Sequence, residues 1–189
     1  MWFIARGSMG VYVNKDALYT HPAVTGILCR EIAKRFRVGV EVVAAPAIGG
    51  VILAQWTAFH LAKLSEREVL AVYAEKSEDG KSFLFKRGYE KLLKNARTLV
   101  LEDVLTTGRS VRRVVDVAKQ AGAMVVGVGA LWNRGGVTPQ SLNVNRLESL
   151  MDIRFESWEE KDCQLCVKKI PINLELGHGA EYIKRFPSF

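Results

Sequence analysis

Two adjacent carboxylates followed by a run of hydroxyls set the chemistry of this chain: Glu102-Asp103, then Thr106-Thr107-Gly108-Arg109-Ser110. Leu99-Val100-Leu101 precede them and an amphipathic helical pattern follows, so the order reads buried strand, loop, helix N-terminus. A helix start presents unpaired NH groups and the positive end of its macrodipole, which suits a phosphate. Thr106, Thr107 and Ser110 add hydroxyl donors, and Gly108 lets the backbone turn close to a ligand. The two acids would repel that phosphate, so they are expected to face hydroxyls or a metal. A ligand with sugar hydroxyls at one end and a 5′-phosphate at the other satisfies both halves.

The stretch lacks the Gly-x4-Gly-Lys-Ser/Thr of a nucleoside-triphosphate loop and the G-x-G-x-x-G of a dinucleotide site. Thr98 to Val111, TLVLEDVLTTGRSV, resembles instead the phosphoribosyl-diphosphate (PRPP) motif of the type I phosphoribosyltransferases: hydrophobic residues, then E-D-V-x-T-T-G-x-S. A capped helix after a strand, with two solvated acids, is the plain alternative. A second stretch strengthens the resemblance. Val40 to Ala45 is a short apolar run that leads into Pro46-Ala47-Ile48-Gly49-Gly50 and then into Val51 to Trp56, apolar nearly all round. Strand, glycine turn and buried helix fit this order, and the turn could carry a diphosphate. APAIGGVILAQW is similar to the pyrophosphate loop of the orotate branch of the same family.

The elements that must position these loops alternate along the chain. A helix is expected over Ala23 to Phe36, a strand over Val69 to Ala74, a helix over Val111 to Ala121 stopped at Gly122, and a long strand over Met124 to Trp132. One or two further strands are expected between Leu142 and Phe155, a short strand near Val11-Tyr12-Val13, and irregular chain from Trp158 on. Charged, glycine-punctuated sequence from Glu75 to Gly88 reads as a mobile hairpin or flap. Alternation of this kind predicts an α/β fold, a mostly parallel sheet flanked by helices, with ligands at the strand carboxyl ends.

Whole-chain properties narrow the class. With 189 residues, 49% hydrophobic and 25% charged, the chain suits one domain with a substantial core. No apolar run approaches a membrane span, and Met1-Trp2-Phe3-Ile4 is too short for a signal-peptide core, so a soluble cytoplasmic protein is expected. The formal charge of +7 favours anionic ligands. Its cations are scattered without basic-aromatic interleaving, so nucleic acid is not the expected partner. Three cysteines in such a chain are expected to be reduced. Cys163-Gln-Leu-Cys166 has the spacing of a zinc knuckle but supplies half of a four-ligand site, which only the fold could complete with Cys29 or His178.

The family resemblance covers nearly the whole chain, and it implies a type I phosphoribosyltransferase domain over residues 1–189. A flap would span about 75–88, and the N-terminal segment with about 156–189 would form a small hood. It implies transfer of the phosphoribosyl group of PRPP to a base, orotate being favoured, with Mg2+ as cofactor carried on the ligand rather than held directly by protein. By that resemblance Glu102 and Asp103 would hold the ribose hydroxyls, and Thr106, Thr107, Gly108, Arg109 and Ser110 would cradle the 5′-phosphate. Ala47, Ile48, Gly49 and Gly50 would form the diphosphate loop. Lys76, with Asp103, would be catalytic, Lys76 reaching the neighbouring subunit's site in a homodimer. Arg134 would meet a carboxylate of the base. A solvated flap lysine and a surface arginine are the plain alternatives for these last two. Two departures from orotate members, a shorter segment before Met9-Gly10 and a flap without histidine, keep two other readings open: transfer to a purine or other base, and a non-catalytic PRPP-sensing regulator.

Overall fold

A strand buried on both faces reads as continuous apolar sequence, and the sheet at the centre of this protein is built from such strands. The computed structural model describes residues 2–4, 7–9, 14–154, 157–158, 162–175 and 179–185. In chain order the elements are β1 (Trp2–Ile4), β2 (Gly7–Met9), α1 (Lys15–Tyr19), α2 (Pro22–Arg35), β3 (Val42–Pro46), α3 (Gly49–Ser65), β4 (Leu70–Lys76), β5 (Phe83–Leu84) and α4 (Tyr89–Leu93). They continue with β6 (Arg97–Leu105), α5 (Arg109–Gln120), β7 (Met124–Asn133), a 3-10 turn (Gln140–Leu142), β8 (Leu147–Met151), β9 (Ser157–Trp158), α6 (Gln164–Val167) and α7 (Gly179–Arg185). The chain divides into two compact units, Asp16–Ile153 and Met1–Lys15 with Arg154–Phe189.

In the larger unit, six strands among the described residues lie in the order β5-β4-β3-β6-β7-β8. All neighbours are parallel except β5, which returns antiparallel to β4 with Lys76 opposite Phe83. Alternate side chains feed two cores. Val43, Ala45, Leu99 and Leu101 pack with Ile32 of α2, Phe36 just past its end, and Leu53 and Leu61 of α3, whereas Val42, Ala44, Val100 and Val128 pack with Val111, Val114 and Val115 of α5. The connection from β3 through α3 leads to β4 on one side, and that from β6 through α5 leads to β7 on the other. The carboxyl ends of adjacent β3 and β6 therefore form the switch point of the sheet, where a crevice for ligands opens.

Helix α5 shows what holds such an element. Val111, Val114, Val115 and Ala118 are fully buried at helical spacing. Burying each valine stabilises by roughly 1.5–3 kcal/mol. The half-exposed Arg112–Asp116 pair, Nε to Oδ2 at 2.9 Å, adds only about 0.3–0.5 kcal/mol. The apolar face decides.

In the smaller unit β1, β2 and β9 form an antiparallel sheet, and α7 lies against β1. Three sequence expectations differ from this. Strand β6 does not stop at Leu101 but runs through both acids to Leu105, because pairing with β7 continues to Leu105 opposite Asn133. Helix α1 occupies a stretch in which no helix was expected; five residues are too few to show a period. The irregular tail contains α6 and α7, each short for the same reason. Val11 to Val13 lie outside the described residues. No described helix is long and apolar enough to cross a membrane.

Candidate active site

The loop between β6 and α5 encloses a recess of about 150 Å3, walled by Glu102, Val104 and the chain from Leu105 to Ser110. Gly108 is the N-cap of α5 at φ +69°, a left-handed turn that glycine adopts without strain. It aims the first turn of α5 into the recess, and its buried α-carbon lies so close to Val137 and Leu142 that a side chain would strike both. Thr106, Thr107, Arg109 and Ser110 are exposed around this turn. Hydroxyls and a helix start with no acid in its first turn converge there, the electrostatics an anion requires.

Alternation along β6 separates the two acids. Glu102 continues the face of Val100, toward α5 and the recess, with its Oε1 accepting from the Asp103 backbone NH at 3.3 Å. Asp103 continues the face of Leu99 and Leu101, toward the α2–α3 layer, and is only 5% exposed. There its Oδ2 accepts a hydrogen bond from the Tyr19 hydroxyl at 3.1 Å and its Oδ1 one from the Val104 NH at 2.7 Å. Burial first, and then the negative charge of Asp103, hold the Tyr19 phenol far above its ordinary pKa. Tyr19 therefore stays protonated and donates. No sequence signal pointed to Tyr19, since the contact joins residues 84 positions apart.

The glycine loop lies at the other side of the switch point. Ala47 donates its NH to the Ala74 carbonyl at 2.8 Å, which ties the loop to β4. The Ala47–Ile48 peptide is cis, Ile48 is 86% exposed, and Gly49 and Gly50 open α3. Gly50 is pressed against Ala45, so α3 starts as close to its own strand as a helix can.

Lys76 ends β4 at the same edge of the sheet and is exposed. The hairpin it opens is tight: Ser77 donates to the Ser82 carbonyl at 3.0 Å and Gly80 to the Ser77 carbonyl at 2.9 Å. Glu75 holds its base by pairing with Arg87 at 3.0 Å and Lys86 at 3.6 Å.

Arg134 follows β7 and lies beside the β6–α5 recess. Its backbone NH and that of Gly135 both donate to the Leu105 carbonyl at 3.0 Å, and its Nε donates to Thr106 Oγ1 at 2.8 Å. A β-carbon on Gly135 would sit 1.6 Å from the Thr106 carbonyl oxygen, so only glycine permits this approach. The sequence placed Arg134 at a strand end but did not foresee its hold on the β6–α5 loop.

A larger recess, about 180 Å3, lies between α2 and α3 against Pro22, Ile27, Trp56 and His60. Its walls are mainly apolar and it lacks the donor array of the β6–α5 loop, so the chemistry is assigned to the smaller one. Cys163 caps α6, its Sγ accepting from the Cys166 NH at 3.2 Å. Among the described residues no group of three or more potential metal ligands gathers there or elsewhere, and His178 lies outside them.

The sequence matches the model of the phosphoribosyl transferase domain over residues 14–158. It is 32% identical over 168 residues to the orotate phosphoribosyltransferase of Caldanaerobacter subterraneus subsp. tengcongensis, covering 85% of this chain and 80% of that protein. It is 38% identical over 161 residues to that of Desulforamulus reducens, covering 85% and 78%. Among solved structures, orotate phosphoribosyltransferase from Aeropyrum pernix shares the fold with a TM-score of 0.61 at 21% identity, over 80% of this chain and 87% of that one. The Mycobacterium tuberculosis H37Rv orotate phosphoribosyltransferase in complex with PRPP does so at 0.60 and 21% identity, over 76% and 82%. With a hydroxyl-lined helix start and a glycine loop at one switch point, and a domain match across most of its length, this chain belongs to the phosphoribosyl transferase domain family.

Proposed function

We propose that this protein transfers the phosphoribosyl group of PRPP to orotate, forming orotidine 5′-phosphate and diphosphate. The observation that carries this reading is the recess at the start of α5, which has Glu102 in its wall and stands beside the loop that opens α3. Named relatives at 32% and 38% identity support the choice of base.

The 5′-phosphate sits in the recess on the hydroxyls of Thr106, Thr107 and Ser110 and on the backbone of Gly108 and Arg109. Glu102 and Asp103 meet ribose hydroxyls, and Ala47 to Gly50 receive the diphosphate. As the bond from the anomeric carbon to the diphosphate oxygen breaks, its electron pair leaves with the diphosphate, and a ring nitrogen of the base supplies the pair for the new bond. Positive charge grows on the sugar in between, so the protein's task is to hold both partners in line and exclude water. Lys76 neutralises charge on the departing diphosphate. Arg134 offers its guanidinium to the base carboxylate. Hard carboxylate oxygens at the end of β6 suit Mg2+, and Glu102 and Asp103 would hold it through ribose hydroxyls or water. When bound, the ion supplies charge neutralisation for the diphosphate.

The functional unit we propose is a homodimer. Helix α3 is mainly apolar, and Ile52 and Phe59 on it are 38% and 47% exposed, as are Val24 and Ile27 of α2 at 48% and 51%. A helix of that composition is normally covered, and a second copy is the commonest cover. Three free thiols fit a cytoplasmic setting.

Assay of the purified protein with Mg2+, PRPP and a panel of bases tests the activity. Turnover with orotate is expected. Turnover with adenine or hypoxanthine alone would change the base, and PRPP binding without turnover on any base would replace the enzyme by a sensor.

A further inference from the structure

Tyr19 lies outside every loop described so far, yet it is fastened to the buried acid of the site. It ends α1, and the turn after it is fixed from both sides: Thr25 Oγ1 donates to the Leu18 carbonyl at 2.9 Å, and the His21 NH donates to the same carbonyl at 3.0 Å. Thr25 is fully buried, so this anchor is part of the core. The ring of Tyr19 packs at the edge of the α2–α3 core and its hydroxyl points at Asp103.

A carboxylate on a strand is free to rotate about its last bond unless each oxygen has its own donor. Here Oδ2 has the Tyr19 hydroxyl and Oδ1 has the Val104 NH, so the plane of the group is set by two elements at once. One is the backbone of β6 itself. The other arrives from α1, far away in sequence. Displacing a group by about 1 Å can cost two orders of magnitude in rate, so such a brace has catalytic value.

We infer that Tyr19 is a positioning residue for phosphoribosyl transfer, orienting the Asp103 carboxylate toward the ribose hydroxyls of the substrate. This rests on the PRPP reading of the site. Its phenol, kept protonated by burial and by the neighbouring charge, acts as a fixed donor across the working pH range. Tyr19 itself is not among the residues that wall the recess.

The test compares inorganic phosphate with ribose 5-phosphate as ligands, because only the second has hydroxyls for Asp103 to meet. Titration calorimetry on wild type, Tyr19→Phe, Asp103→Asn and the double variant gives the margin by which each prefers ribose 5-phosphate. Tyr19→Phe keeps the ring in the core and is expected to shrink that margin about tenfold, the scale of one hydrogen bond to a charged group. Its affinity for inorganic phosphate stays at the wild-type value, which also shows that the fold is intact. In steady state kcat/KM for PRPP falls by a similar factor while KM for the base holds. Adding Tyr19→Phe to Asp103→Asn costs nothing more, since the tyrosine acts only through the acid. A margin that Tyr19→Phe leaves within about twofold of wild type, or additive losses in the double variant, overturns the role of Tyr19 alone. A wild-type protein that does not prefer ribose 5-phosphate to phosphate overturns the PRPP reading, and the role of Tyr19 falls with it.

Discussion

Arg134 Nε donates to Thr106 Oγ1 at 2.8 Å, so the residue proposed to meet the base also grips the loop proposed to hold the phosphate. Two backbone NH groups, from Arg134 and Gly135, share the Leu105 carbonyl just behind that contact. The ends of β6 and β7 are thus tied together, and changes at Arg134 should register at both ends of the proposed substrate pair.

Arg134→Ala is expected to raise KM for orotate by about tenfold or more, the loss of a forked pair with a carboxylate. KM for PRPP should rise too, by roughly threefold, because Thr106 loses its partner. Initial-rate kinetics with each substrate varied in turn measures both. A loss confined to PRPP would remove Arg134 from the base site.

Gly135→Ala places a methyl group where the Thr106 carbonyl oxygen now lies. Overpacking of this kind costs about 1–3 kcal/mol or more, and the exposed loop after β6 is the part able to yield. A lower melting temperature together with weakened binding of inorganic phosphate is the expected pair of results, read by thermal denaturation and calorimetry. Wild-type phosphate affinity would mean that the loop accommodates the methyl group without moving.

Lys76→Ala and Asp103→Asn should each abolish most activity. If Lys76 serves the neighbouring subunit, mixing the two inactive proteins restores part of it, since some hybrid dimers contain one intact site. Activity is measured after subunit exchange has been demonstrated by mass. Mixtures that stay dead despite exchange would place Lys76 in its own subunit's site or in none.

Burial pushes the Cys29 thiol up to about 11. At pH 8 only about one thiol in a thousand is then ionised, and the buried sulfur is shielded as well. Iodoacetamide should therefore modify half-exposed Cys166 in the native protein and reach Cys29 only after unfolding, as peptide mass mapping will show. Rapid labelling of Cys29 in the native protein would contradict the packing of α2.

The sheet and the β6–α5 loop were readable in sequence because each rests on local pattern. Leu99 to Leu101 and Met124 to Trp132 are continuous apolar runs, and Thr106 to Ser110 concentrates hydroxyls just before helical spacing begins. The hairpin after Lys76 was marked by its charges and Gly80. What could not be read depends on partners distant in the chain. Nothing local ties Tyr19 to Asp103, or Arg134 to Thr106. The adjacency of Glu102 and Asp103 also concealed their separation, which follows only once β6 is known to continue through both and to send successive side chains to opposite faces.

That separation has a consequence for how the site can be altered. Glu102 lies on the α5 face of β6, in the wall of the recess, and Asp103 on the opposite face with Tyr19, so each acid answers to its own side of the sheet. Repacking beneath α5 would retune the proposed phosphate recess and leave the tyrosine-braced carboxylate as it is. Repacking around Thr25 and Cys29 would do the reverse. One strand would then give two independent handles on the proposed substrate, and variants that reshape one can be sought without disturbing the other.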